Sequence, residues 1–210
     1  MEMQLILVTP PVDYPVSLLE ICTHLRIDYS DIDSDGVIEL DSDTGTELES
    51  IISAGTDAVE DITSRKLFTQ TWKYFIDCFP CDSFIKIPFG NLQSVTHLKY
   101  KDSAGTSTTM TVNTDYIVEL NGDQCGRIVL PYGVSWPSFT AYTSNPIEIQ
   151  FVCGWDDTAE IPQKLKSAIK LACGDLYGNR EGQVLSGQDY RKNNTVMNLL
   201  NSSILRDTFL

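Results

Sequence analysis

The apolar residues of this 210-residue chain change their spacing twice. The first part follows a helical period, the middle alternates residue by residue, and the helical period returns at the end. Spacing decides which kind of element can bury an apolar side, because helices repeat near 3.6 residues and strands every two. The expected fold is therefore α+β: a small helical bundle formed by both chain ends, interrupted by an antiparallel β sandwich or barrel-like insertion. The boundaries read as 1–66 and 156–210 for a helical body and 67–155 for an inserted β lobe.

Local signals give the elements. Thr9-Pro10-Pro11 and Pro15 make a helix-free arm. Ser17 stands three before Glu20, the spacing of a capping box, with Val16 and Ile21 placed as a hydrophobic staple. A first helix then runs to about Ile27. A second starts near Thr44, with Leu48, Ile51, Ile52, Ala58, Val59 and Ile62 on one face. Gly55 on that helix offers room for a close helix–helix approach. Short strands are expected from Thr69, Phe84, Val95, Thr106, Tyr116, Arg127 and Ile147, punctuated by Gly, Asn and Pro. Pro162 opens a third helix that ends near Gly178-Asn179. An apolar segment with Leu199, Leu200, Ile204, Leu205 and Phe209 follows a polar stretch.

Charge narrows the function. The formal net charge is −14, and residues 1–66 carry −12 of it. Phosphate binding needs clustered Lys and Arg, which this chain lacks, so gripping nucleic acid is not expected. An acidic surface still suits DNA passing nearby. No apolar run approaches the roughly 20 residues of a membrane span. The start has an acid where a signal peptide has bases, so a chain kept in the cytoplasm where it is made is expected, with no disulfide framework from its six cysteines.

Chemical motifs are few. Asp31, Asp33, Asp35 and Glu39 match carboxylate positions of an EF-hand loop, with Gly36 at the sharp turn. Ser42 stands where a bidentate Glu should close the cage, and a solvated acidic loop explains the same residues. A calcium-dependent binding module using the acidic loop 31–43 is the alternative function. Cys78-Phe79-Pro80-Cys81 has redox or zinc spacing, but it ends a strand and lacks a second ligand pair. No P-loop, G-x-G-x-x-G or G-x-S-x-G occurs, and two histidines offer little for acid–base work. No enzyme activity, cofactor or metal is expected. Trp72, Tyr74, Trp136, Phe139 and Tyr142 fit core packing better than a carbohydrate platform, with a surface role more open for Trp136-Pro137 in the long loop between strands.

Several stretches together resemble a known family. Thr9-Pro10-Pro11, Pro15-Val16-Ser17-Leu18, Glu20 and His24-Leu25-Arg26 are similar to the opening of tailed-phage head-to-tail connector proteins. Thr63-Ser64-Arg65 with Thr69-Gln70-Thr71-Trp72 resembles that family's "T-G-R … T-Q-T-W", with Ser64 in place of the usual Gly. Gly126-Arg127-Ile128, Ser135-Trp136-Pro137 and Leu176-Tyr177-Gly178-Asn179-Arg180-Glu181 match further stretches in the same order. The resemblance spans roughly residues 5–185; the acidic insert at 28–43 is longer than usual.

The resemblance implies a virion structural protein, an adaptor or head-completion protein in the neck. It implies a homo-oligomeric ring of about twelve subunits between the portal protein and the stopper or tail-completion protein. DNA would pass through the channel without specific binding. It also implies that the C-terminal segment docks on the portal, which makes Leu199, Leu200, Ile204, Leu205 and Phe209 the candidate docking residues.

Overall fold

The computed structural model describes residues 3–29, 31–32, 38–179 and 194–205. In chain order the elements are β1 (Met3–Thr9), α1 (Leu18–Leu25), β2 (Asp31–Ile32), β3 (Ile38–Glu39), α2 (Ser42–Thr63), β4 (Gln70–Ile76), β5 (Phe84–Gly90), β6 (Leu92–Lys101) and β7 (Ser107–Met110). Then come β8 (Ile117–Glu119), β9 (Cys125–Val129), β10 (Ile147–Cys153), a 3-10 turn (Thr158–Glu160), α3 (Gln163–Gly178) and α4 (Asn194–Leu200). The chain divides into a β unit of residues 1–12, 64–156 and 205–210 and a helical unit of 13–63 and 157–204.

The β unit holds a five-stranded antiparallel sheet, ordered β1-β4-β10-β6-β7, and a three-stranded sheet, ordered β5-β9-β8. Alternation decides the faces. Leu5, Tyr74, Ile149, Leu98 and Met110 are register partners in one cross-strand row. They join a core with Ile85, Ile87 and Ile128 of the smaller sheet. The next row, Gln4, Phe75, Glu148, Lys99 and Thr109, turns to the other face. The two sheets stack as a sandwich and do not close into a barrel, which corrects the barrel-like half of the expectation. A closed barrel needs continuous pairing around the ring; β1 and β7 instead end the larger sheet.

A second correction concerns the N-terminus. The sequence assigns residues 1–66 to the helical body, but Met3–Thr9 is a strand of the β unit, paired with β4. Its register partners run from Thr9↔Thr71 to Met3↔Ile76, far downstream in sequence, so no local signal marks it.

In the helical unit, Ser17 caps α1: its Oγ accepts from the Glu20 amide at 3.2 Å, and Glu20 Oε2 accepts from the Ser17 amide at 3.1 Å. Reciprocal capping of this kind satisfies two orphan donors. Asp41 caps α2, its Oδ2 accepting from the Thr44 amide at 3.3 Å. Helix α3 packs on α2 where Gly55 lies; a Cβ there would stand 2.9 Å from Cys173 Sγ. Glu20 links α1 to α3 through Lys170 Nζ at 3.0 Å. Burial works to raise the Glu20 pKa, but Lys170 and the Ser17 amide outweigh it and hold the carboxyl below its ordinary value.

Candidate assembly surfaces

The residues that carry the family resemblance build the fold. Thr69 Oγ1 donates to Asp156 Oδ1 at 2.7 Å, and Gln93 Nε2 reaches Thr69 Oγ1 at 2.8 Å and the Gly154 carbonyl at 2.9 Å. Trp72 Nε1 donates to Gln70 Oε1 at 3.1 Å, and Lys66 Nζ lies 5.2 Å from the Trp72 ring centroid. These contacts tie the start of β4 to the end of β10. Arg65 is buried and its guanidinium donates to the Asp123 carbonyl. Desolvation pulls its pKa down and the Asp123 carboxylate opposes the shift. A buried cation needs such partners to offset desolvation.

Ser64 explains the family's glycine. Its φ is 55°, the left-handed region that follows many helix ends and that glycine enters without steric cost. Gly126 is needed for close approach, since a Cβ there would lie 2.2 Å from Leu92 Cδ2. Next to it, Arg127 pairs with Glu119 Oε2 at 2.6 Å and Ile128 is fully buried. Trp136 stacks on Phe79 with centroids 4.9 Å apart and planes at 4°, and its Nε1 donates to the Asp82 carbonyl at 2.8 Å. Tyr100 and Phe139 extend the cluster, their centroids 4.7 Å apart. The half-buried Trp136 ring pins the loop onto the sandwich, whereas Tyr142, expected in the same packed set, is 40% exposed.

The acidic segment is arranged differently from an EF-hand. Asp31 and Glu39 are register partners in the short β2–β3 ladder, where a calcium loop would run directly between two helices. Asp33 and Asp35 lie outside the described residues. Asp41 is occupied by the α2 cap. Among the described residues no group of three or more His, Cys, Asp or Glu is placed to hold a metal ion. Cys78 and Cys81 are free and exposed, while Cys22, Cys125, Cys153 and Cys173 are buried. Burial pushes the Cys173 thiol up to about 11, so it stays protonated and unreactive near neutral pH.

Two surfaces remain. The first is α2, whose Asp43, Glu47, Glu49, Asp57 and Asp61 are exposed. No base occurs along this 22-residue helix. The second is the C-terminal segment. Of the expected docking residues, Leu200 and Leu205 are buried within the chain, with 0% and 6% of their surface exposed. Leu199 and Ile204 are half-buried, and Phe209 lies outside the described residues. Sequence reasoning could not separate these, because both sets share one apolar run. Met197, on α4 and outside the expected docking set, is 39% exposed.

No protein-family model and no curated protein matches this chain. Solved structures do. A chain in the neck of an empty gene transfer agent (GTA) particle, computed with C6 symmetry, superimposes with a TM-score of 0.75 and 20% identity, covering 98% of this chain and 97% of that one. A chain in the virion of a native gene transfer agent particle gives 0.73 and 20%, over 98% and 97%. One from the neck of a native GTA particle, computed with C12 symmetry, gives 0.71 and 18%, over 100% and 98%. This protein therefore shares its fold, nearly end to end, with chains that stand in gene transfer agent particles and their necks.

Proposed function

We propose that this chain is a structural protein of a phage or phage-like particle, a head–tail adaptor that acts by fit and not by catalysis. The observation that carries the reading is the end-to-end fold likeness to chains of a particle neck at 98–100% coverage. The ordered connector motifs, from Thr9-Pro10-Pro11 to Leu176-Tyr177-Gly178-Asn179, support it independently. In this reading the protein forms a ring of about twelve copies between portal and stopper or tail, made in the host cytoplasm and residing in the virion neck. The similar chains stand in necks computed with C6 and with C12 symmetry, and a twelve-fold ring is compatible with both.

Helix α2 is assigned to the channel side. Its exposed carboxylates would repel passing DNA and keep it from adhering. Portal docking falls to Leu199 and Ile204, which the chain leaves half-exposed, together with Phe209. Leu200 and Leu205 serve the chain's own packing. Negative-stain images of the purified chain mixed with portal complexes test the reading. A ring added at the outer end of the portal is expected; absence of association would overturn it.

A further inference from the structure

The outer face of the larger sheet is basic. Glu148 is the one acid in its five strands, against Lys73, His97, Lys99 and Lys101. Register puts these groups on the face turned from the core: Lys73 and His97 flank Gln150, and Lys99 sits beside Glu148. In a chain with 15 bases against 29 acids, this is a local excess of the minority charge. Glu148 is already engaged, its Oε1 meeting Lys73 Nζ at 3.0 Å and His97 Nε2 at 2.9 Å. Among the described residues neither Lys99 nor Lys101 has a carboxylate partner. Asp102 adjoins Lys101 but serves its own turn, its Oδ1 accepting from the Ala104 and Thr106 amides at 2.9 Å each.

These two half-buried lysines line a cleft of about 340 Å³, together with Phe75, Tyr142, Asn145 and Glu148. The 141–146 segment that forms part of it is held by backbone bonds. The Lys101 amide donates to the Pro146 carbonyl at 2.7 Å, and the Tyr142 amide donates to the Lys101 carbonyl at 3.1 Å. Asn145 Nδ2 donates to Gln4 Oε1 at 3.1 Å. Lys101 Nζ lies 5.1 Å from the Tyr142 ring centroid. The cleft is thus formed before anything enters it, and its size suits a few side chains, since ligand sites start near about 300 Å³. Lys99 and Lys101 stand two residues apart on one strand, about 7 Å, so one carboxylate can reach both ammonium groups.

We propose that this cleft binds an acidic peptide segment in which carboxylates are interleaved with apolar side chains. One carboxylate meets Lys99 and Lys101, and an apolar neighbour lies on Phe75 and Tyr142. Charge favours peptide over nucleic acid. A phosphate track needs many clustered bases, whereas this cleft offers two beside the Glu148 carboxylate, in a chain of net charge −14. A segment of the required kind occurs in this sequence: residues 28–43 hold seven Asp or Glu and no base, with Tyr29, Ile32, Ile38 and Leu40 between them.

Fluorescence anisotropy with the full chain and a labelled peptide of residues 28–43 tests the site. Saturable binding is expected, and none with a peptide whose Asp and Glu are replaced by Asn and Gln. Lys99→Gln with Lys101→Gln should weaken binding about tenfold, the loss of two partly screened ion pairs. Its melting temperature should stay within a few degrees, because neither lysine is ion-paired in the fold. Tyr142→Ala keeps the charge and should weaken binding about threefold by removing an apolar wall. Absence of peptide binding, or binding unchanged in the double-lysine variant, overturns the proposal. Tighter lysine-dependent binding of a single-stranded oligonucleotide of equal charge overturns it as well. Sedimentation then separates two sources of the segment. Self-association that the double-lysine variant loses assigns it to a second copy, and peptide binding without self-association assigns it to another protein. A ring on the portal with no peptide binding refutes the cleft alone and leaves the adaptor reading standing.

Discussion

The β unit and the helical unit hold their folds by different means. In the β unit, close backbone approaches fix residue identity. Gly154 has φ 108°, and a Cβ there would fall 2.2 Å from the Phe68 carbonyl oxygen. Side chains from distant positions, Thr69, Gln93 and Asp156, lock strand ends together. In the helical unit the tightest approach is to a side chain, Gly55 against Cys173 Sγ. Its polar ties include the Ser17 and Asp41 helix caps and the Glu20–Lys170 ion pair between helices. The charge follows the same division: α2 carries exposed carboxylates, while residues 67–155 are near neutral at −2. One unit is specified by its backbone, and the other leaves more of its sequence free to define a surface.

Substitutions break this contrast at different levels. Gly154→Ala meets backbone atoms in a left-handed conformation and should cost about 3 kcal/mol or more. Soluble yield and thermal unfolding will show it; a drop under 1 kcal/mol would mean that the approach is not rigid. Gly55→Ala should cost about 1–2 kcal/mol by overpacking. Adding Cys173→Ala should recover part of that loss, a coupling of about 0.5 kcal/mol or more in a double-mutant cycle. Additive costs would show that the two residues do not touch.

The remaining effects are smaller. Glu20→Gln should cost up to about 1 kcal/mol, since the pair with Lys170 is partly exposed. The pH dependence has a defined sign. A carboxyl held below its ordinary 4.5 adds stability above that pH, and the gain fades as pH falls through the folded value. Urea unfolding at pH 7 and below pH 4 should therefore separate wild type from Glu20→Gln only at the higher pH. Ser64→Gly should stabilise by about 0.5–1 kcal/mol, because φ 55° favours glycine. A destabilised Ser64→Gly would mean that the serine side chain has a role its backbone does not reveal.

The strands from β4 to β10 were readable because they alternate and are punctuated by glycine and asparagine. Helix α1 was readable from Ser17 and Glu20, and the helix packing from Gly55. Strand β1 was not: Leu5 to Val8 does not alternate, prolines follow it, and its partner β4 is distant in sequence. The acidic character of α2 was legible from composition, yet Asp41 as its cap was not, since several carboxylates compete for that position. Among the C-terminal residues, only packing separates buried Leu200 and Leu205 from half-buried Leu199 and Ile204. A resemblance can rank residues by motif, but whether a motif residue builds the fold or meets a partner depends on burial, which tertiary structure decides.

The adaptor reading is tested most directly by reconstructing the neck of particles whose genome encodes this chain. The account predicts a ring of about twelve copies beneath the portal, with the α2 carboxylates toward the channel. A neck that lacks the chain, or a ring with α2 turned outward, would contradict it.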